Sequence, residues 1–256
     1  MNIQKLPSLT SSQKQILFHL YKFRYLTIVQ LQKLFNHKDP HRVKEWLKDL
    51  ESKKYISRIV DKKDPTKPHI FCLNTRARYF LKEDKKCSDI VLGRLYKEKT
   101  KREKFINKNL TIADCYLFFL SQQAKESQLN FLTENNLIDL KYLPEDLGAY
   151  IAVKSGNKTK RYFLDFYDEQ TPSWVYRQRV RDYIKYSRDG KWQQNTKGDT
   201  LPTILIVCPN EDKKTHAFMN GRAQLRKTFE QINIYVTTKD RIKFSQDINQ
   251  VWKKVE

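Results

Sequence analysis

A chain of 256 residues can hold one large domain or two small ones, each with its own core. Its 50 lysines and arginines against 29 acids give a net charge of +21, concentrated in residues 1–104 (26 basic, 11 acidic) over the remainder (24 and 18), which favours a polyanionic partner. Four scattered cysteines (Cys72, Cys87, Cys115, Cys208) without a CxxC pair argue for reduced thiols rather than a zinc module, and no apolar run reaches membrane-spanning length.

The first element in chain order is an apolar helix through Ile16, Leu17, Leu20 and Phe23. Thr27-Ile28-Val29-Gln30 then has the pattern of a capping box, in which Thr27 caps a second helix (Leu31, Leu34, Phe35) and Gln30 reaches back to it. Asn36 stops that helix. Asp39-Pro40 opens a third, with Asp as N-cap and Pro at the first helical position. At about 100° per residue, Val43, Trp46, Leu47 and Leu50 fall on one apolar stripe. His41, Lys44, Glu45, Lys48 and Ser52 form the opposite face, with Arg42 on its flank.

Tyr55–Val60 and His69–Leu73 read as strands around Asp61–Pro68, a loop too long and proline-rich for a tight two-residue turn, and Thr75 restarts a helix. Three helices followed by a basic hairpin make residues 1–81 a winged helix-turn-helix. Its third helix would enter the major groove of double-stranded DNA, with Lys62, Lys63 and Lys67 of the wing along the backbone. The competing readings are an amphipathic helix with a solvated outer face and a winged helix that serves as a protein–protein module.

Residues 82–104 change character, with nine Lys/Arg and five Asp/Glu among 23 residues. That density predicts an exposed helix or mobile linker, docked in part by Ile90, Val91, Leu92 and Leu95. From 105 to 256 the pattern is α/β. A helix is expected over Leu110–Lys125, capped at Thr111–Asp114, and strands over Asn130–Thr133, Ala149–Val153 and Tyr162–Tyr167, the last two joined by a Ser155-Gly156-Asn157 turn. Val175–Tyr186 reads as a basic, tyrosine-rich helix and Thr203–Cys208 as a strand covered on both faces. Ala217–Gln231 reads as a helix and Ile234–Thr237 as a closing strand. The fold class is therefore α+β, with a mixed sheet flanked by helices in the second domain.

The order and spacing of several stretches resemble the replication-relaxation family of plasmid and integrative-element proteins along nearly the whole chain. They are Tyr25-Leu26-Thr27, Gln30-Leu31, Leu34-Phe35, Val43–Leu50, Phe71–Leu73 and Thr75 in the first domain. In the second they are Leu110–Tyr116, Phe131–Glu134, Pro144–Asp146, Tyr162–Asp168 with Thr171, Tyr183–Tyr186 and Thr203–Pro209. The resemblance implies a winged helix joined to a domain similar to the PD-(D/E)XK nuclease fold. It also implies a role in initiating replication, relaxation or mobilisation of an extrachromosomal element, with a relaxase or replication initiator as a candidate partner. A homodimer is a candidate assembly because a winged helix often binds as a dimer, and Val175–Tyr186 or the charged connector could pair, although neither has a heptad pattern.

A nuclease of that fold would hold Mg²⁺ or Mn²⁺ on an Asp and a second acid one strand away, with a Lys two residues further on. Under the resemblance the acids are Asp146 and Asp165, but position 167 is Tyr rather than Lys. Strand alternation puts Asp165 and Asp168 on opposite faces, and alignment on Thr171 instead makes Asp168 the family acid and leaves Phe166 where a glutamate is expected. Glu134 is a further carboxylate, and Arg177, Arg179 or Arg181 could supply the missing positive charge. The opposing reading makes these acids surface or ion-paired groups on a catalytically silent domain, so whether the chain is an enzyme stays open.

Two further patterns bear on function. Trp174, Tyr176, Tyr183 and Tyr186 interleave with Arg177, Arg179, Arg181, Lys185 and Arg188 as a candidate stacking-and-phosphate strip for single-stranded DNA. The five histidines (His19, His37, His41, His69, His216) are too scattered for a histidine-ligated relaxase metal, and Gly190-Lys191 lacks the context of a P-loop. Met1–Pro7 has no apolar signal core, so a cytoplasmic protein without a membrane partner is expected. The leading expectation is a DNA-binding accessory protein for replication, relaxation or mobilisation of a plasmid or conjugative element. The alternative is a winged-helix transcriptional regulator whose second domain senses or dimerises.

Overall fold

Helix α1 (Ser11–Phe23) begins where the Thr10 side chain accepts the Gln13 amide and the Gln13 side chain accepts the Thr10 amide. The computed structural model that contains it describes residues 6–61, 64–245 and 248–256, and the chain divides into two units, Met1–Ala113 and Asp114–Glu256. In the first unit, Thr27 and Gln30 form the expected box at the start of α2 (Ile28–Leu34). Asn36 adopts a φ of 48° just beyond it. Asp39 accepts the His41 amide at 2.8 Å and, with Pro40 following, opens α3 (Pro40–Ser52). Ile16, Leu17 and Leu20 of α1 meet the core with Val43, Leu47 and Leu50 of α3, all essentially unexposed. Trp46 is only half-buried and lies against the Phe35 and His37 rings.

One strand of this unit was not visible in the sequence. Tyr25–Thr27 forms β1, which pairs antiparallel with Ile70–Leu73 (β3), and β3 in turn with Ile56–Ile59 (β2), giving a three-stranded sheet in the order β1-β3-β2. Three residues wedged between two helices are too few to display alternation.

Residues 82–104 belong to this first unit rather than standing apart as a linker. After α4 (Ala77–Leu81), helix α5 (Asp89–Leu92) and a 3₁₀ turn over Leu95–Thr100 bury Val91, Leu92 and Leu95, while Ile90 stays exposed. Glu98 anchors the segment. Its buried carboxylate pairs with Arg24 at 2.7 Å, and its backbone carbonyl accepts the Tyr25 hydroxyl at 2.8 Å. Charge density alone cannot tell a solvated acid from a buried, paired one, which is why the segment read as a linker.

The helix expected over Leu110–Lys125 is α6 (Glu103–Ser121), so Thr111 lies inside it and donates to the Asn107 carbonyl at 2.9 Å instead of capping. The division between the units falls within this helix and not at residue 105.

The second unit is built on a six-stranded sheet: β4 (Ser127–Thr133), β5 (Ala149–Ser155), β6 (Lys158–Phe166), β7 (Thr203–Cys208), β8 (Ile234–Thr238) and β9 (Lys253–Lys254), in that spatial order. β4, β5 and β6 are antiparallel and β6, β7 and β8 parallel, which is the expected mixed sheet. β9, at two residues too short to show alternation, returns antiparallel beside β8, so Ile234–Thr238 is not the closing strand. The predicted turn is a two-residue link between Ser155 and Lys158, with Gly156 at a φ of 56°. α7 (Glu134–Leu137) follows β4. α8 (Ser173–Arg188) and α9 (Lys191–Asn195) connect β6 to β7, and α10 (Glu211–Leu225) connects β7 to β8. α11 (Lys239–Phe244) and α12 (Ile248–Val251) lead to β9. α10 starts earlier than the predicted Ala217 because the Asn210 side chain accepts the Lys213 amide at 2.9 Å, with Glu211 and Asp212 favouring the helix N-terminus.

The unbroken apolar run of β7 is covered on both faces. Ile204, Ile206 and Cys208 share a core with Phe163, Tyr183, Trp192 and Val236, while Tyr116 and Phe119 of α6 meet Phe131 and Tyr162. α8 and α10 lie side by side and run in the same direction. Their polar contacts keep one sequence offset of 43 residues: Arg177 to Asn220 at 3.3 Å, Arg181 to Gln224 at 2.9 Å, and Ser187 to Glu230 at 3.0 Å just past the end of α10. All four cysteines are buried free thiols, and burial pushes those of Cys72 and Cys208 up to about 12. Among the described residues no helix is long and apolar enough to cross a membrane.

Candidate functional site

The outer face of α3 carries the side chains the sequence assigned to it. With Val43, Leu47 and Leu50 buried, His41, Arg42, Lys44, Glu45, Lys48 and Ser52 are all exposed. The acids of the helix are largely spoken for: Asp49 pairs with Lys53 at 2.6 Å, Glu51 with Arg58 at 3.4 Å, and Glu45 lies 3.6 Å from His41. The hydrogen bond from Lys53, with one from Gln13, holds the Asp49 carboxyl below its ordinary range. Among the described residues, Arg42, Lys44 and Lys48 have no acid within ion-pair distance. Three cations therefore point outward from one helix without internal neutralisation. Ser52 turns its hydroxyl back to the Asp49 carbonyl at 2.8 Å, which satisfies it locally.

The loop between β2 and β3 supports this face less than expected. Lys67 is exposed but pairs with Asp61 at 2.7 Å, and Asp64 accepts the Thr66 amide and hydroxyl. Lys62 and Lys63 lie outside the described residues.

In the second unit the four candidate carboxylates are dispersed. Asp165, at the C-terminal end of β6, is buried, and its Oδ2 accepts Arg179 Nε at 2.5 Å and the Tyr183 hydroxyl at 3.0 Å, while Oδ1 accepts the Phe166 amide at 2.9 Å. Asp146 is exposed in the turn before β5, in the left-handed region at a φ of 57°. Asp168 lies beyond the end of β6, so strand alternation does not govern it, and it exchanges hydrogen bonds with Thr171. Glu134 is exposed in the first turn of α7. Among the described residues no group of three His, Cys, Asp or Glu side chains could hold a metal ion, so the expected set for Mg²⁺ or Mn²⁺ is not assembled. Tyr167, where the lysine would stand, is a core residue whose ring lies 3.8 Å from that of Tyr176.

Arg179 is thus the positive partner of Asp165. Burial works against the guanidinium charge, but the Asp165 carboxylate outweighs it and raises the pKa above the ordinary value. Burial, reinforced by the same carboxylate, pushes the Tyr183 and Tyr167 phenols well above theirs. Among the described residues, Arg179 Nη2 and the Tyr167 and Tyr176 hydroxyls are buried without a hydrogen-bond partner. The pairing was legible in part. Phe163 and Asp165 share a face of β6 by alternation, and Arg179 and Tyr183 are one turn apart on α8.

The aromatic strip is corrected. Tyr176, Tyr183 and Tyr186 point into the core, and only Trp174, 62% exposed, faces outward. Of the basic residues in it, Arg179 is committed to Asp165, and Arg177 and Arg181 each bond a side chain of α10. Lys185 is exposed, and Arg188 lies 3.9 Å from Glu230.

Comparison of the chain with models of known families, with curated proteins and with solved structures finds no match.

Proposed function

We propose that this protein binds double-stranded DNA through the outer face of α3, as a winged helix-turn-helix with the β2–β3 hairpin as its wing. The observation that carries the reading is the exposed, unneutralised trio Arg42, Lys44 and Lys48 on the helix whose other side closes the core. The helix order and the sheet order β1-β3-β2 support it, as does the excess positive charge of residues 1–104. Arg42 and the lysines would contact phosphates and guanine edges, and His41 and Glu45 would face bases. The second unit, whose core resembles a nuclease fold in its sequence but whose Asp165 is engaged by Arg179, would act as a binding rather than cleaving module. The biological role suggested by the family resemblance is replication or mobilisation of an extrachromosomal element.

The test is a gel-shift series of the full chain on duplex DNA from its own genetic neighbourhood, titrated with salt. A steep negative slope, close to 0.9 per phosphate contacted, is expected, and replacing Arg42, Lys44 and Lys48 together by Ala should flatten it by roughly 2 to 3. Salt-insensitive binding, or a triple variant that binds as the wild type does, would refute the assignment. Deletion of the gene should alter the element's copy number or transfer. A change confined to neighbouring transcripts would overturn the replication role while leaving DNA binding in place.

A further inference from the structure

The outward stripe of α8 combines an exposed aromatic ring with cations in a way the core does not require. At about 100° per residue, Trp174, Arg181, Lys185 and Arg188 fall within one narrow sector, opposite the buried Tyr176, Val180 and Tyr183. Arg181 spends its Nε on Gln224 and keeps its remaining guanidinium donors, Arg188 is 3.9 Å from Glu230, and Lys185 is exposed. Asp182 and Asp189 are the acids nearest in sequence to this stripe, each next to one of its arginines; Asp182 accepts a hydrogen bond from Gln178 at 2.9 Å, and Asp189 is exposed just past the end of the helix. Successive cations are roughly 4.5 to 6 Å apart along the helix axis, a spacing that lets neighbouring side chains reach consecutive phosphates of an extended strand.

We propose that this stripe is a second nucleic-acid site, specific for single strands: Trp174 stacks on an unpaired base while Arg181, Lys185 and Arg188 hold the flanking phosphates. Charge complementarity selects a polyanion, and the exposed indole selects among polyanions. A duplex offers no unstacked base for it, whereas every base of a single strand has a free face. The inference concerns a different unit and a different ligand from the duplex reading, and it does not depend on that reading.

The experiment measures fluorescence anisotropy of labelled dT20 with the full-length chain, beside a duplex of equal length, over a salt series. Trp174→Ala should weaken dT20 binding roughly tenfold, as expected for one lost stacking contact, with duplex affinity unchanged. Trp174→Phe, which keeps an aromatic face, should restore most of the loss. Arg181→Ala with Lys185→Ala should reduce the salt slope for dT20 by about 1.4, at 0.7 per single-strand phosphate contact. The variant lacking Arg42, Lys44 and Lys48 should still bind dT20, which separates this site from the α3 face. Wild-type dT20 affinity in Trp174→Ala, or an equal loss in Trp174→Phe, or equal losses for dT20 and duplex, would overturn the proposal.

Discussion

Replacing Asp165 by Asn should destabilise the second unit by about 3–5 kcal/mol, the cost of breaking a buried ion pair from one side. The magnitude follows from the surroundings. The two side chains are 8% and 16% exposed, and the carboxylate also accepts Tyr183 and the Phe166 amide. Among the described residues Arg179 Nη2 already lacks a hydrogen-bond partner, so loss of the carboxylate charge leaves the buried guanidinium further uncompensated. Asn preserves shape and one acceptor oxygen, which confines the change largely to charge. Equilibrium urea unfolding followed by tryptophan fluorescence reads the effect, because Trp192 lies in the same core. The Arg179→Met variant should cost a similar amount, and the double variant much less than the sum, with a coupling of at least about 2 kcal/mol. An Asp165→Asn cost below about 1 kcal/mol, or two strictly additive substitutions, would refute the view that this pair is an internally balanced charge.

The same geometry predicts that the purified chain does not nick supercoiled plasmid in Mg²⁺ or Mn²⁺, since the Asp165 carboxylate is occupied by Arg179 and Tyr183; metal-dependent nicking abolished by Asp165→Ala would contradict it. Gly148→Ala should cost about 1–3 kcal/mol in thermal or urea unfolding, because an added Cβ would lie 2.5 Å from the Phe166 ring and 3.0 Å from the Leu164 carbonyl. His19 is held near a pKa of about 4, by burial first and then by Lys22, below its ordinary 6.5. The unfolded chain therefore takes up this proton first as pH falls, so the stabilisation present above 6.5 is lost on the way down to about 4, a loss on the order of 3 kcal/mol that His19→Gln should remove from the pH profile.

Local signals in the sequence were reliable where one side chain settles one backbone decision. Thr27, Gln30, Asp39 and Pro40 mark helix starts by satisfying or lacking amide donors, and each does so in the structure. The continuous apolar run of β7 likewise announces a strand covered on both sides. Decisions made by distant partners were not legible. Glu98 looks like one more solvated charge until Arg24, 74 residues away, is brought to it. Thr111 has the composition of a cap, yet an upstream stretch continues the helix through it. On α8 the residue types suggested a strip of four aromatics, and only packing reveals that three of them build the core. The exposed side of α3 was the most legible candidate because burial of Val43, Leu47 and Leu50 on an amphipathic helix fixes what remains outside.

The single offset shared by Arg177–Asn220 and Arg181–Gln224 makes α8 and α10 two racks of equal pitch meshed tooth to tooth, with Ser187–Glu230 as a latch just past the end of α10. Slack is harmless between the racks and ruinous within one. An extra residue in the 196–202 connection leaves every tooth engaged, because it only lengthens the path from one helix to the next strand. An extra residue between Asn220 and Gln224 turns the rest of α10 by about 100° and disengages Arg181 from Gln224. Length variation among functional variants of this chain should accordingly gather in that connection and spare the helices.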